Sequence, residues 1–296
     1  MGATPPRILI TGKNGQLGWA LARSFGANAE VHALDRNGLN LADTDAIRRC
    51  CREIKPTLIL NAAAYTAVDR AEQEPELAMQ INGQAPRVLA EEANRLDAAI
   101  IHYSTDYVFA GDATEAYLED DPTAPQNIYG KTKLVGEQAV CEVADRFLVY
   151  RTSWVYAARR QNFLLTMLRL AMERDELRVV ADQIGSPTWV ETLADFTHAA
   201  VDAQGHLTIA DGIYHVSANG RTSWHAFAEA IFAAIPDPRR TAKRVVPIST
   251  ADFPTPAKRP AFSVLSNQKI EFATKRRVPD WQEQLAGCAA DYAQNA

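Results

Sequence analysis

A glycine-rich segment near the start of the chain constrains the fold more than any other feature. The segment from Thr11 to Gly18 reads T-G-K-N-G-Q-L-G, and it lies between an apolar, strand-like run and a helical pattern. Gly12 permits a tight turn, Gly15 lets the backbone approach a phosphate, and Gly18 allows close packing of the helix on the strand. Three glycines alone would indicate only a turn, but this strand–loop–helix context predicts a dinucleotide pyrophosphate site.

Strand-like apolar runs alternate with helical patterns through the first half of the chain. Continuous apolar strands separated by helices predict a parallel sheet covered on both faces, which is the doubly wound, Rossmann-type α/β architecture. The predicted strands are Arg7 to Thr11, Glu30 to Leu34, Pro56 to Ala62, Ala98 to Tyr103 and Phe147 to Thr152. The predicted helices are Gly15 to Gly26, Thr44 to Glu53, Pro75 to Arg95 and Ile128 to Val143.

Beyond residue 155 the elements become shorter, which predicts a smaller C-terminal substrate-binding lobe. We expect a dinucleotide-binding domain at residues 1–155, with residues 186–220 returning to it, and the smaller lobe at residues 156–185 and 221–296. In this half we predict helices at Phe163 to Glu173, Glu191 to Ala203 and Ser223 to Ala234, a strand at Leu177 to Val180, and a loop from Pro236 to Pro260.

The overall composition limits the classes of partner. With 31 basic and 36 acidic residues the formal charge is −5, which argues against a nucleic-acid partner bound through its phosphates. No apolar run approaches the ~18 residues of a membrane helix, and Met1 to Arg7 has no apolar signal-peptide core. We therefore expect a cytoplasmic chain with reduced thiols, whose cysteines show no metal-ligand spacing: Cys50, Cys51, Cys141 and Cys288.

Two residues at the end of the second predicted strand bear on the choice of cofactor. Asp35 lies about 20 residues beyond the glycine loop, where an acidic side chain binds the adenosine ribose hydroxyls. Arg36 follows it directly and is placed to meet a 2′-phosphate. The aspartate favours NADH and the arginine favours NADPH, so the sequence leaves both cofactors open.

A tyrosine and a lysine share one face of a predicted helix. Tyr129 and Lys133 are four residues apart, so the phenol and the ammonium are expected to point into one site. A nearby ammonium favours the phenolate, and we therefore expect a tyrosine pKa below its usual value of about 10. Such a phenol suits a proton donor to a carbonyl oxygen that is being reduced.

The ends of two further predicted strands also carry candidate site residues. Thr105, at the end of the fourth strand, is predicted to hydrogen bond and polarise a substrate carbonyl. Asp106 beside it is either a sugar-binding or supporting residue or a carboxylate that caps a turn. The small residues that follow Asn61 leave room for a cofactor across the sheet edge, although close packing of a strand end on a helix would require the same residues.

These motifs resemble those of the extended short-chain dehydrogenases, which carry T-G-x-x-G-x-x-G, N-A-A and Y-x-x-x-K in this order. Other segments resemble the dTDP-4-dehydrorhamnose reductase family over nearly the whole chain. They are Gly12 to Trp19, Asn61 to Asp69, Tyr103 to Phe109, Asn127 to Lys133, Arg151 to Tyr156, Asp182 to Pro187 and Phe253 to Pro260.

The resemblance implies an enzyme that makes dTDP-L-rhamnose by reducing the C4 ketone of a dTDP-6-deoxy-hexulose with NADPH or NADH. It implies that Tyr129 donates the proton, that Lys133 binds the cofactor and assists, and that Thr105 holds the substrate. Together with the residues named above, the predicted cofactor surface comprises Gly12, Gly15, Gln16, Leu17, Gly18, Asp35, Arg36, Asn40, Leu41, Ala62, Ala63, Ala64, Tyr65, Thr66, Tyr129 and Lys133. The predicted contacts of the dTDP-sugar are Thr105, Asp106, Tyr129, Trp154, Asn162 and Arg259.

One departure from the family concerns a metal. Some members bridge a dimer through Mg²⁺ held by carboxylates, and the position of one of these carboxylates is Ala20 here, whereas Glu191 matches a second. A single acidic ligand makes a poor magnesium site, because this hard cation prefers several oxygen donors. We therefore expect no metal site and no metal-bridged dimer. The six histidines also lack metal-ligand spacing and have no predicted role.

Two other functions are compatible with the same motifs. The first is another extended enzyme, such as a nucleotide-sugar epimerase or dehydratase; a single aspartate after Thr105, followed by Tyr107, gives little support to the dehydratase route. The second is a non-catalytic, dinucleotide-binding regulatory subunit, since fold alone does not establish an activity. The intact set of Thr105, Tyr129 and Lys133 weighs against this second alternative.

Overall fold

A six-stranded parallel sheet forms the centre of the computed structural model, which describes residues 5–295. The strand order is 2-1-3-4-5-10, and every neighbouring pair runs parallel. The predicted doubly wound α/β fold is therefore confirmed. Most of the Met1 to Arg7 segment, for which no signal peptide is predicted, lies outside the described residues. The strands of the sheet are β1 (Arg7–Thr11), β2 (Glu30–Leu34), β3 (Leu58–Asn61), β4 (Ala99–Thr105), β5 (Phe147–Thr152) and β10 (Gly212–His215).

Alternate side chains of the strands enter two separate apolar cores, one on each face of the sheet. Ile8 and Ile10 of β1 join the first core, whereas Leu9 between them joins the second. This alternation explains why the strands are apolar along their whole length, since both faces are covered. The helices of this part of the chain are α1 (Gln16–Phe25), α2 (Thr44–Ile54), α3 (Val68–Ala71), α4 (Pro75–Met79), α5 (Ala85–Arg95), α6 (Ile128–Val143) and α8 (Val190–Ala199).

A third apolar core lies in the second half of the chain, around Leu164, Phe227 and Trp281. Its helices are α7 (Phe163–Glu173), α9 (Trp224–Ala234) and α11 (Trp281–Asn295), and α10 (Gln268–Thr274) packs near β10. Its strands form three two-stranded sheets: β7 (Glu176–Val180) with β12 (Arg244–Ile248), β6 (Val155–Tyr156) with β9 (Thr188–Trp189), and β8 (Ile184–Gly185) with β11 (Thr222–Ser223). Within residues 5–295, no helix has the length and apolar character needed to cross a membrane.

The structure differs from the sequence prediction at several elements. The predicted loop from Pro236 to Pro260 is wrong, because it contains β12, whose Val245 and Val246 are half-buried beside β7. The predicted helix from Pro75 to Arg95 is interrupted by a π-helical turn at Gln80–Gln84. The helix predicted to reach Ala203 ends at Ala199. No strand was predicted at β10, which pairs with β5 and completes the sheet.

The strand order reverses between β1 and β3, which creates the crevice where ligands bind in open α/β sheets. The carboxyl ends of these two strands are joined by a hydrogen bond from Thr11 Oγ1 to Asn61 Oδ1 at 2.9 Å. The glycine loop follows Thr11 and the small-residue segment follows Asn61, so the fold brings both segments to the same edge of the sheet.

Candidate active site

The glycine loop has the close backbone approach that its sequence predicts. Gly12 has a φ of +75°, and the N–H of Gly15 donates to its carbonyl at 2.8 Å. A Cβ added at Gly18 would lie 2.2 Å from the same carbonyl oxygen, so only glycine fits there. Gly15 is the N-cap of α1 and supplies no side-chain cap, which leaves the N–H groups of the first turn available to an anion. The loop therefore fits a dinucleotide pyrophosphate.

Asp35 closes the turn after β2 and remains partly accessible. Its carboxylate accepts hydrogen bonds from the side chain of Asn14 at 2.9 Å and from the backbone N–H groups of Asn37 and Gly38. The bond from Gly38 makes the largest contribution to holding the Asp35 pKa below its usual value, so the group is an anion at neutral pH. Arg36 beside it is exposed. Both side chains that bear on cofactor choice thus lie at the same strand end.

The segment Ala62–Thr66 lies across the end of β3 and is held from beneath by a residue of the π-helical turn. Asn82 accepts a hydrogen bond from the N–H of Tyr65 at 2.8 Å and donates to the Tyr65 carbonyl at 3.1 Å. It also donates to the Thr132 hydroxyl on α6 at 3.2 Å. The buried amide of Asn82 therefore ties this predicted cofactor segment to the helix that carries Tyr129. On the other side of the crevice, Leu41 is buried and Asn40 is exposed.

Thr105 and Tyr129 meet where β4 ends and α6 begins. The Thr105 hydroxyl lies close enough to the Tyr129 phenol to lower its pKa, and it donates to Asp106 Oδ1 at 2.9 Å. Asn127 caps α6 by accepting from the N–H of Gly130 at 2.8 Å, which fixes the start of the helix. The edge of the Tyr107 ring packs on Tyr129, with 5.6 Å between ring centroids. The structure thus brings together the hydroxyl and the phenol that the sequence assigned to one site.

The expectation of a lowered tyrosine pKa is wrong in this structure. Burial raises the pKa of Tyr129 to about 12, although the neighbouring Thr105 hydroxyl acts in the opposite direction. Lys133 does not offset the burial, because its Nζ points away to the Tyr103 carbonyl, to which it donates at 2.6 Å. Burial lowers the pKa of Lys133 to about 8, and Glu137 opposes this effect.

A buried ion pair that the sequence did not reveal supports this site. Arg151 of β5 donates three hydrogen bonds to the Glu137 carboxylate of α6, at 2.8 to 3.1 Å. Ser104, next to Thr105, donates to the same carboxylate. Arg151 also donates to the Glu119 carbonyl at 3.0 Å. The pair therefore fastens α6 to the ends of β4 and β5. A glutamate four residues after Lys133 was the only sequence signal for it.

Three predicted substrate contacts lie beyond the strand ends. The Trp154 ring stacks on Trp224 with centroids 3.5 Å apart, and Trp154 has a φ of +48°. Asn162 caps α7 by accepting from the Leu165 N–H at 3.1 Å, and it donates to the Gln16 side chain at 3.0 Å. Its side chain is therefore already engaged with the protein.

Arg259, the third of these contacts, donates to Asp69 at 2.8 Å, while its other terminal nitrogen, Nη1, is buried without a partner among the described residues. This orphaned donor is free to meet an anionic oxygen, which fits the predicted contact with a nucleotide diphosphate.

The two positions at which the family resemblance places magnesium-binding carboxylates do not form such a site in this structure. Ala20 is fully buried in the first core, and Glu191 forms an ion pair with Arg23. Within residues 5–295, no cluster of three or more histidine, cysteine, aspartate or glutamate side chains is arranged to hold a metal ion.

Known proteins of one family are similar to this chain in sequence over almost its whole length. Residues 6–294 match the model of the RmlD substrate binding domain family. The chain belongs to this family. A dTDP-4-dehydrorhamnose reductase of Burkholderia thailandensis is 46% identical over 96% of this chain and 98% of its own length. The reductase of Escherichia coli K12 is 43% identical over 93% of this chain and 94% of its own.

A solved family structure has the same fold. The dTDP-4-dehydrorhamnose reductase of Bacillus anthracis, crystallised in complex with NADP, superimposes with a TM-score of 0.91 at 37% identity. The match covers 97% of this chain and all of that one. The resemblance inferred from the motifs is therefore confirmed over the full sheet and the smaller elements beyond it.

Proposed function

We propose that this chain reduces the C4 ketone of dTDP-4-dehydro-6-deoxy-L-mannose to dTDP-L-rhamnose, with NADPH or NADH as cofactor. The observation that carries the proposal is the meeting of the Thr105 hydroxyl and the Tyr129 phenol at the carboxyl edge of the sheet. This pair lies beside a glycine loop that fits a pyrophosphate, in a chain 46% identical to a dTDP-4-dehydrorhamnose reductase.

When bound, the reduced nicotinamide supplies hydride to the carbonyl carbon. Tyr129 gives its phenolic proton to the carbonyl oxygen as negative charge develops there, and the Thr105 hydroxyl hydrogen bonds the same oxygen. Since burial raises the pKa of Tyr129 to about 12, the phenol carries its proton at neutral pH, as an acid catalyst must. Lys133, whose Nζ is directed to the Tyr103 carbonyl and not to the phenol, serves in this proposal to bind the cofactor.

The remaining site residues hold the two ligands in this proposal. The pyrophosphate binds the first turn of α1 at Gln16 and Leu17, and Asp35 and Arg36 contact the adenosine ribose. Asp106 and Trp154 contact the sugar, and Arg259 binds the diphosphate through its unpartnered nitrogen. In this segment Asn82 holds the backbone of Tyr65. The predicted cofactor residues after β3 are Ala62, Ala63, Ala64, Tyr65 and Thr66.

We further propose that the chain works in the cytoplasm, without a nucleic-acid or membrane partner and without a metal-bridged dimer. Its cysteines are all free thiols, which fits a reducing compartment. The formal charge of −5 disfavours nucleic acid. The ion pair of Glu191 with Arg23 uses the carboxylate that a bridging magnesium ion would need.

The reductase assay follows the loss of NADPH absorbance when purified protein meets dTDP-4-dehydro-6-deoxy-hexulose, with and without prior 3,5-epimerisation of the sugar. We expect oxidation that requires the epimerised sugar, and parallel reactions with NADH rank the two cofactors. Cofactor binding without oxidation would contradict the reductase. It would favour the regulatory subunit, or an epimerase acting on another nucleotide sugar.

Tyr129→Phe tests the proton donor. The rate should fall about 100-fold or more while nucleotide binding is retained, because the substitution removes only the phenolic hydroxyl, which supplies the proton. Tyr156→Phe is the matched control, since this buried phenol has no hydrogen-bond partner among the described residues. A Tyr129→Phe enzyme within a few-fold of the control would show that another group supplies the proton.

A further inference from the structure

The side-chain amine of Lys133 makes a contact that has no part in the proposed reaction. Its Nζ lies 3.3 Å from Nε2 of His102, which is fully buried on β4. The other ring nitrogen, Nδ1, lies 3.0 Å from the side-chain amide of Asn61 at the end of β3. Asn61 in turn meets the Thr11 hydroxyl at the end of β1. A continuous polar chain therefore runs from the lysine beneath the crevice, across three neighbouring strands.

The imidazole in the middle of this chain is neutral. Burial, reinforced by the neighbouring Lys133 ammonium, holds the pKa of His102 well below its usual value. A neutral imidazole has one nitrogen that donates and one that accepts. The two contacts of His102 are therefore coupled: the nitrogen that faces Lys133 accepts only if the nitrogen that faces Asn61 donates.

Two arrangements satisfy both ring contacts of His102, one for each charge state of the lysine, and the Thr11 hydroxyl accepts from the Asn61 amide nitrogen in the first and donates to the Asn61 amide oxygen in the second. When Lys133 is an ammonium, it donates to Nε2, and the Nδ1 proton of His102 is donated to the Asn61 amide oxygen. When Lys133 is a neutral amine, Nε2–H donates to its lone pair, and Nδ1 accepts from the Asn61 amide nitrogen. Half a turn of the Asn61 amide interchanges its oxygen and nitrogen, so the backbone need not move between the two arrangements.

We propose that His102 is a positioning residue for Lys133, which holds its amine at the floor of the crevice and changes tautomer with the charge of that amine. A tautomer change lets Lys133 gain or lose a proton without leaving either ring nitrogen of the buried His102 unpaired, which would otherwise oppose the change. The inference rests on the proposed function only for its use in the reaction, because the hydrogen-bond coupling exists without substrate.

Other titratable groups near Lys133 and His102 lie on α6, on β4 and on β5. Glu137, one turn further along α6, opposes the effect of burial on Lys133 and is itself paired with Arg151 of β5. On β4 the titratable neighbours are His102 and Tyr103, and Asp106 follows the strand. Since burial lowers the Lys133 pKa to about 8, its change of charge falls in an accessible pH range.

The first test is nitrogen NMR of the full protein with ¹⁵N-labelled histidine, without cofactor or substrate. The His102 ring should stay neutral and pass from one tautomer to the other as the pH rises through the titration of Lys133. In Lys133→Met it should keep one tautomer throughout. A wild-type His102 that holds a single tautomer across this titration, or that becomes an imidazolium in it, would overturn the proposal.

The second test measures the pKa of Lys133 by NMR of its side chain in three variants. In His102→Leu the ammonium loses an acceptor, so the Lys133 pKa should fall by about one unit. His102→Gln keeps an acceptor oxygen on the side chain and should restore most of the shift. His215→Leu is the matched control, because this equally buried histidine of β10 packs against Phe109 and has no contact with Lys133 among those described.

An unchanged Lys133 pKa in a folded His102→Leu protein would refute the coupling. If that variant does not fold, the wild-type tautomer measurement decides alone. Neither test requires turnover. A failed reductase assay would therefore contradict the proposed function without affecting the result of either test. In an active enzyme, the pH profile of kcat/KM should move with the measured Lys133 pKa, whereas a merely structural role would leave the profile in place.

Discussion

Glu137→Gln should destabilise the protein far more than an equal change on its surface. The Glu137 and Arg151 side chains are 1% and 3% exposed, so the substitution leaves a buried guanidinium without its counter-charge. The introduced amide would keep one carbonyl acceptor for the three donated bonds, and Ser104 would compete for it. Breaking a buried pair in this way costs about 3–5 kcal/mol of the free energy of unfolding.

The matched control is Glu173→Gln, which breaks the pair of Glu173 with Arg169 on the surface of α7. These side chains are 51% and 61% exposed and lie four residues apart, so their loss should cost about 0.3–0.5 kcal/mol. The assay is urea unfolding followed by circular dichroism at a fixed pH and salt concentration. The double variant Glu137→Leu with Arg151→Met should recover part of the loss, because it leaves no unpaired charge.

Two results would refute this reasoning. The first is a Glu137→Gln protein within about 1 kcal/mol of the Glu173→Gln protein, since the difference between buried and exposed pairs would then be absent. The second is a double variant less stable than Glu137→Gln, because its instability could not come from an uncompensated charge. We also expect Glu137→Gln to lower kcat, since the ion pair of Glu137 with Arg151 holds α6 beside Thr105.

Three other features of the site can be tested by substitution or by metal removal. Gly18→Ala should weaken NADPH binding at least about tenfold, measured by fluorescence titration, because its Cβ would displace the Gly12 carbonyl; unchanged affinity would contradict the loop assignment. Burial raises the Asp106 pKa to about 6, so between about pH 4 and pH 6 the unfolded state binds fewer protons and stability falls as the pH rises. Asp106→Asn should therefore unfold at higher urea concentration than wild type at pH 7.5 and lose this gain at pH 4; a gain that persisted at pH 4 would exclude titration as its cause. Dialysis against EDTA should leave the sedimentation coefficient and the rate unchanged, because Glu191 is paired with Arg23; dissociation or inactivation would show a metal site.

The central sheet could be predicted because its strands are buried on both faces. Ile8, Leu9 and Ile10 all enter apolar cores, so the strand reads as an unbroken apolar run that local patterning detects. β12 escaped prediction because its valines are only half-buried and lie among prolines and charges. Its pairing with β7 spans more than sixty residues of intervening chain, and no local pattern carries that information.

The candidate site divides in the same way. The glycine loop and the spacing of Tyr129 and Lys133 are local features, so the sequence identified them. The direction of the Lys133 amine depends on carbonyl and imidazole groups of β4, thirty residues earlier. For that reason the expected effect of Lys133 on the Tyr129 pKa was wrong. The role of His102 had no signal in the sequence, and the pair of Arg151 with Glu137 had only the spacing of the glutamate from Lys133.

The buried amide of Asn82 has a consequence for how the chain becomes native. It bonds both backbone groups of Tyr65, from a turn seventeen residues later, and the Thr132 hydroxyl, fifty residues later still. A nascent chain that ends before α6 lacks the last of these partners and the helix against which the π-helical turn packs. The segment after β3 should therefore stay accessible to proteases during synthesis until α6 has emerged and packed against it. The segment after β3 and the helix that carries Tyr129 then reach their native structure at the same stage of folding.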